Sequence, residues 1–351
     1  MRGAVNYPST GARLGAGRSE LQKRLWFGVD SVVEALRLRR EGIKNPILVL
    51  GLTLSSRLKE AYDHDITLTV SNFDALISLI RANKRIKFHL KVDTGMHRQG
   101  FLESDITRLI KLLKLNKLSP QGIYTHFASA KDAAYPTYTL EQIKKFHNII
   151  VKFKKAGFKN FISHSAASGG AIIFPESHMD MVRIGMGLYG YWPSPESKIK
   201  FSIQDNSKNI ILKPILTWKT IISEMKEIPA GSYVGYDLTE KVSKKTKIAV
   251  LPIGYWHGYD RGLSGIGEVL IGGRRAKVLG RVSMDMITVD ITDIGNKPID
   301  KSLKPKVGDE AVLIGKQGKK EIWADELALK INTSQYEILT RINPLIRRVI
   351  K

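Results

Sequence analysis

Phe88-His-Leu-Lys91-Val-Asp93-Thr-Gly95-Met-His-Arg98-Gln-Gly100 is the stretch whose reading decides the fold. A short apolar run, Phe88–Val92, ends on a cation and a carboxylate, turns at a glycine and then supplies a second cation, Arg98. That order suits the C-terminal end of a parallel strand, where the loops following the strands assemble active sites. Taken alone, the spacing describes equally well a capped strand end with a surface ion pair. On both sides of it, from Trp26 to Gly190, short β-branched or apolar runs alternate with longer amphipathic stretches, the rhythm of repeated βα units. The strands are predicted at Trp26–Val29, Pro46–Leu50, Ile66–Val70, Phe88–Val92, Gly122–Thr125, Phe161–His164 and Met181–Ile184. Val32, Val33, Ala35, Leu36 and Leu38, and later Ile106, Leu109, Leu112 and Leu113, are spaced for helices between them. Seven units are one short of a closed (β/α)8 barrel. The expectation is therefore a TIM-type α/β barrel over residues 1–208 that lacks its first strand, with residues 1–22 atypical.

Beyond Tyr189-Gly-Tyr-Trp-Pro-Ser-Pro-Glu the pattern changes. Ser197 to Lys208 is polar and reads as a linker. From there a mainly β domain is expected over 209–351, with strands at Ile215–Ser223, Lys247–Pro252, Gly267–Ile271, Arg275–Leu279, Ile287–Ile291 and Glu310–Ile314. Helices are expected at Ala324–Ile331 and Ser334–Arg341, the second capped by Thr333.

Lysine and arginine exceed aspartate and glutamate by 23, a balance that would favour polyanions if the charges were gathered on one surface. The basic stretches Lys241 to Lys247, Lys316 to Lys320 and Arg347 to Lys351 are short, far apart and not interleaved with aromatics, so no nucleic-acid partner is expected. The absence of cysteine excludes disulfides and thiolate metal sites, and no metal is expected. No apolar run is long enough to span a bilayer, and the first ten residues lack a signal peptide's apolar core. A cytoplasmic protein without a membrane partner is the expectation.

Other polar groups follow strands in the same way. Thr125-His126 places a histidine just past one; a lone histidine there is more often structural, but its layer is that of Lys91. His164-Ser-Ala-Ala-Ser168-Gly-Gly and Met181-Val-Arg183-Ile-Gly185-Met186-Gly lie after the last two strands, where backbone N–H groups could cradle a phosphate. Their glycines alone are weak evidence, since any tight turn uses them. In the second domain, Leu251-Pro-Ile-Gly-Tyr255 and Gly280-Arg-Val-Ser-Met284 place polar and aromatic groups after β-strands. Taken singly, Tyr255 reads as a buried packing residue.

In this order the segments, with Trp26-Phe-Gly-Val-Asp, Pro46-Ile-Leu-Val-Leu-Gly, Ser232-Tyr-Val-Gly-Tyr236 and Tyr336-Glu-Ile-Leu-Thr-Arg, resemble the pyridoxal-phosphate-dependent alanine racemases, from about Trp26 to Arg341. The resemblance implies interconversion of L- and D-alanine, supplying D-alanine for peptidoglycan, on a barrel followed by a β domain. It implies pyridoxal 5'-phosphate (PLP) as electron sink, with two bases on opposite faces of the substrate carbon. Tyr255 matches the tyrosine base, a phenol of reference pKa about 10 that neighbouring positive charge, from His126 and Arg183, would have to lower. Arg183 matches the arginine facing the cofactor's ring nitrogen, and a guanidinium donates hydrogen bonds without delivering protons. Arg98 and Met284 match substrate-contacting positions. Lys91 matches a lysine carbamylated in many members, which would then hold Arg98 in place. His164, Ser168, Gly185 and Met186 match cofactor-binding positions. Tyr255 and Met284 serve the partner subunit's site in that family, which implies a homodimer with shared active sites.

One motif has no match. The family's cofactor lysine lies in a Lys-Ala-Asn-Ala-Tyr-Gly-like stretch on the first barrel strand, whereas the first lysine here is Lys23, three residues before Trp26. As written, the chain is expected to racemise little or not at all; if its start is misassigned, the natural protein is expected to be active. The alternatives are a catalytically dead protein on this fold and a racemase for another amino acid.

Overall fold

The computed structural model describes residues 25–82, 84–132, 134–204, 211–294 and 304–350. The chain divides into two compact units, Met1–Leu212 and Lys213–Lys351. The residues before Leu25, where a first barrel strand would fall, lie outside the described ones.

The first unit holds six parallel strands hydrogen-bonded in chain order: β1 (Phe27–Val29), β2 (Ile47–Val49), β3 (Thr67–Val70), β4 (Phe88–Lys91), β5 (Gly122–Tyr124) and β6 (Ile162–His164). Chain order and parallel pairing require each connection to cross over through a helix. Those connections carry α1 (Val32–Arg40), α2 (Leu58–Asp63), α3 (Phe73–Arg81), α4 (Ile106–Leu115) and α5 (Thr137–Lys155), while α6 (Ser168–Ile173) and α7 (Pro195–Gln204) follow β6. Ser31 and Asn72 cap α1 and α3 by accepting from the N–H of Glu34 and Ala75. Helix α4 buries Ile106, Leu109 and Leu113, one stripe of a helical surface. That stripe packs with Ile47, Val49, Leu68, Val70, Phe88, Leu90 and Ile123 from the strands. Because strand side chains alternate between faces, Thr69, His89, Lys91, Tyr124 and His164 gather on the other face, the side a closing barrel would enclose.

Met181–Ile184, expected as a seventh strand, contributes only one parallel bridge, Met181 to His164. The Ser163 N–H bonds not to a strand carbonyl but to the Asp180 carboxylate at 2.8 Å, and that oxygen also accepts from the Ser163 hydroxyl. Ser197 onward, expected as linker, is helical as far as Gln204 in α7, and residues 205–210 lie outside the described ones. Ser194 and Ser197 cap that helix reciprocally, each hydroxyl accepting the other's N–H at 3.1 Å.

The second unit is an antiparallel assembly of β7 (Trp218–Ile221), β8 (Glu224–Ile228), β9 (Tyr233–Val234), β10 (Glu240–Lys241), β11 (Thr246–Leu251), β12 (Glu268–Ile271), β13 (Arg274–Leu279), β14 (Ile287–Asp290), β15 (Glu310–Gln317) and β16 (Lys320–Ile322). The main sheet runs β16-β15-β12-β13-β14-β11-β8, with β7 also on β15 and β9 paired separately with β10. Helices α8 (Ala324–Lys330) and α9 (Gln335–Arg341) close the chain. Ser334, not Thr333, occupies the cap position of α9, and the Thr333 hydroxyl bonds to the Glu337 carboxylate.

Candidate active site

Arg183 organises the strand ends of the first unit. Its side chain is buried, and Nη1 donates to His164 Nδ1 at 2.7 Å. Nη2 is shared among the carbonyls of Thr125 (2.8 Å) and Ser165 (2.9 Å) and His126 Nδ1 (3.2 Å). Burial lowers its pKa to about 10, so it keeps its charge at neutral pH. The same burial, with Arg183 close by, pushes His126 and His89 down to about 3 and His164 well below the usual histidine range. All three rings are therefore neutral. His126, expected as a source of positive charge, is instead an N–H donor: its Nδ1 accepts from Arg183, so its proton sits on Nε2.

Lys91 ends β4 at 6% exposure. Its Nζ donates to Gln99 Oε1 at 3.1 Å, and Gln99 in turn donates to the Ser71 hydroxyl. Burial, then Arg98 and Arg183, lower the lysine to about 8 against the pull of Asp93. Asp93 forms no ion pair with it because its carboxylate is committed elsewhere. Oδ1 accepts from the N–H of Gly95, Met96 and His97 at 2.8, 2.9 and 3.1 Å, and Oδ2 from that of Arg98 at 3.0 Å. Four donors on one carboxylate fix the turn that presents Arg98. Arg98 and Arg183 both lie close enough to Lys91 for their charges to depress its pKa.

Ser168 begins α6, and its Oγ accepts from the N–H of both Gly185 (3.1 Å) and Gly187 (3.3 Å). The hydroxyl proton remains to be donated. A Cβ added at Gly185 would meet nothing within 4 Å, so the backbone there borders open space. Met186 follows, its side chain buried.

In the second unit the N–H groups of Tyr255 and Trp256 donate to the carbonyls of Ser283 and Met284 at 3.0 and 3.1 Å. Gly254 makes this approach possible, since a Cβ there would stand 2.2 Å from the Ser283 carbonyl oxygen. Tyr255 is not buried packing: it is 43% exposed, with Met284 at 52%. Tyr255 lines an open depression of ≈ 370 Å³ with Gly258, Asp260, Arg261 and Arg341.

Of the predicted residues, Lys91, Arg98, His126, His164, Ser168, Arg183, Gly185 and Met186 belong to the first unit's strand ends, and Tyr255 and Met284 meet in the second. His89 and Tyr124 were not singled out, although both adjoin this network. Tyr124 stacks on His164 at 4.6 Å and bonds through its hydroxyl to Thr69 at 3.0 Å. The signal for His89 was present in Phe-His-Leu-Lys, where polar residues alternate with apolar ones inside a buried strand.

A parallel sheet in βα order whose last strand ends gather a buried guanidinium and a serine hydroxyl bonded to two glycine amides belongs to the α/β-barrel class. The comparisons narrow the class. The family description "Alanine racemase, N-terminal domain" matches residues 15–193, and "Alanine racemase, C-terminal domain" matches 215–350. The alanine racemase of Halothermothrix orenii is 40% identical over 325 residues, 91% of this chain and 80% of that protein. That of Leptospira interrogans (strain Fiocruz L1-130) is 37% identical over 326 residues, 92% and 82% of the two. The crystal structure of alanine racemase from Bacillus anthracis with bound L-Ala-P superposes with a TM-score of 0.80 at 31% identity, covering 90% of this chain and 78% of that one. The chain belongs to the alanine racemase family.

Proposed function

We propose that the protein is an alanine racemase that interconverts L- and D-alanine with PLP seated at the strand ends of the first unit. Family membership over both units carries the activity, and the family is PLP-dependent. The donor set fits the cofactor. Among the described residues the Arg183 Nε–H has no protein acceptor, which leaves an N–H for the single lone pair of a ring nitrogen. The Ser168 hydroxyl proton and the open space beside Gly185 suit a phosphate. When bound, PLP supplies an electron sink that stabilises charge on the substrate's α-carbon. Arg183 would hold the ring nitrogen without protonating it, and His164 would hold Arg183. Arg98, whose turn is fixed by Asp93, would bind the substrate carboxylate, and Lys91, if carbamylated and so made anionic, would keep Arg98 in place.

Tyr255 is the proposed base, acting with Met284 at the partner subunit's barrel in a homodimer. A cytoplasmic role supplying D-alanine for peptidoglycan goes with this reading; among the described residues no helix is long and apolar enough to cross a membrane.

The residues as given contain no match to the family's cofactor-lysine motif. The 351-residue polypeptide is therefore expected to form D-alanine from L-alanine with PLP only slowly, and the same polypeptide preceded by a strand carrying Lys-Ala-Asn-Ala-Tyr-Gly rapidly. No D-alanine from the second would refute the proposal.

A further inference from the structure

Two histidines behind Arg183 form a chain whose protons have one possible order. A guanidinium can only donate, so His164 Nδ1, 2.7 Å from Arg183 Nη1, must accept. His164 is neutral, and its single proton therefore sits on Nε2. That nitrogen lies 2.8 Å from His89 Nδ1, which must accept in turn. The His89 proton is left on Nε2, which is buried and has no partner among the described residues.

Packing holds these rings where they are. Tyr124 stacks flat on His164, and Trp26 tilts against His89 with centroids 5.3 Å apart. Gly122, opposite His89 in register, leaves room for the ring: a Cβ there would stand 2.4 Å from it. A buried donor left unsatisfied is retained only where the rest of the network over-determines it. His89 tolerates one so that His164 does not have to.

We propose that His89 is a positioning residue that holds the Arg183 guanidinium in place by accepting the His164 Nε2 proton and so reserving His164 Nδ1 for Arg183. Without that acceptor, His164 would carry an unpaired buried donor, and turning or switching tautomer to relieve it would break its bond to Arg183. The consequence for the cofactor rests on reading Arg183 as the partner of the ring nitrogen.

The test uses the full chain labelled with ¹⁵N-histidine and reads the nitrogen shifts that distinguish the two tautomers. The charged and titratable groups around the pair are Arg183, His126, Tyr124, Lys91 and Arg98. The expected wild-type result is a bare Nδ1 and a protonated Nε2 on both His89 and His164, unchanged from pH 5 to 8. H89N, whose Oδ1 stands where Nδ1 stood, keeps the His164 pattern, and H89L loses it. A wild-type His89 protonated on Nδ1, or charged within that range, would overturn the proposal, as would an unaltered His164 in H89L. Should H89L not fold, the wild-type spectrum and H89N still decide. A second readout, the ring-nitrogen shift of ¹⁵N-labelled PLP added to the protein, is expected to match wild type in H89N and to move in both H89L and R183L. If it ignores R183L while the tautomers behave as expected, the cofactor reading fails and the histidine chain stands.

Discussion

Replacing Asp93 by asparagine should loosen the turn that presents Arg98, by an amount the hydrogen bonds define. The carboxylate accepts four backbone N–H groups at 2.8 to 3.1 Å. Bonds to a charged acceptor contribute about 1.5–3 kcal/mol each and neutral ones about 0.5–1.5. With the amide oxygen kept toward Gly95, Met96 and His97, three bonds weaken by about 1 kcal/mol each, and the amide nitrogen meets the Arg98 N–H donor to donor. Bonds sharing one acceptor are not additive, so about 2–4 kcal/mol is the expected local loss. At about 1.4 kcal/mol per factor of ten, that is roughly 30- to 700-fold faster amide exchange. Hydrogen exchange followed by mass spectrometry on peptides covering 93–99 reads it directly. The sign with pH follows from the carboxyl. Burial works to raise its pKa, and the four N–H groups outweigh burial and lower it. Its contribution is therefore complete above the unfolded aspartate pKa of about 3.9 and is lost as pH falls through the folded value. Equal protection in D93N and wild type, or wild-type protection already fading between pH 7 and 5, would refute the reasoning.

Lys91 should react with amine-acylating reagents with a midpoint near its pKa of about 8, read by peptide mapping; a midpoint with the surface lysines would contradict the burial argument. Because its folded pKa is lowered, the protein binds fewer protons than the unfolded chain between about pH 8 and 10.4, so this group's term favours folding increasingly across that window. Gly254→Ala forces a Cβ against the Ser283 carbonyl and should destabilise the second unit by about 1–3 kcal/mol, seen as a drop of several degrees in Tm. Ser168→Asp should weaken PLP binding by about 100-fold or more and Ser168→Ala by roughly 5-fold, since the first sets like charges together and the second removes one hydroxyl; calorimetry separates the two.

The sequence made the first unit legible where strands are buried on both faces and read as apolar runs, as in Ile47–Val49 and Thr67–Val70. It failed at Met181–Ile184, which leaves the sheet after a single bridge to His164. Strand β8, Glu-Met-Lys-Glu-Ile, escaped because it is an edge strand, and edges are kept charged. Lys91, His126, His164 and Arg183 could be found because each ends or follows a strand. His89 lies two residues deeper, and its link to His164 spans 75 positions, a pairing that only the curled sheet creates. Protonation was beyond the sequence altogether: His126 is neutral because it is buried beside Arg183, which no local motif records.

The central claim is that the strand ends of the first unit take PLP through its phosphate and ring nitrogen. Equilibrium dialysis of the full chain against pyridoxal 5'-phosphate and, separately, unphosphorylated pyridoxal tests it most directly, because surface lysines take up both alike. The account predicts one equivalent of the phosphate ester retained by wild type, little pyridoxal, and loss of that equivalent in R183L and S168D. Equal retention of the two compounds, or retention untouched by both substitutions, would contradict it.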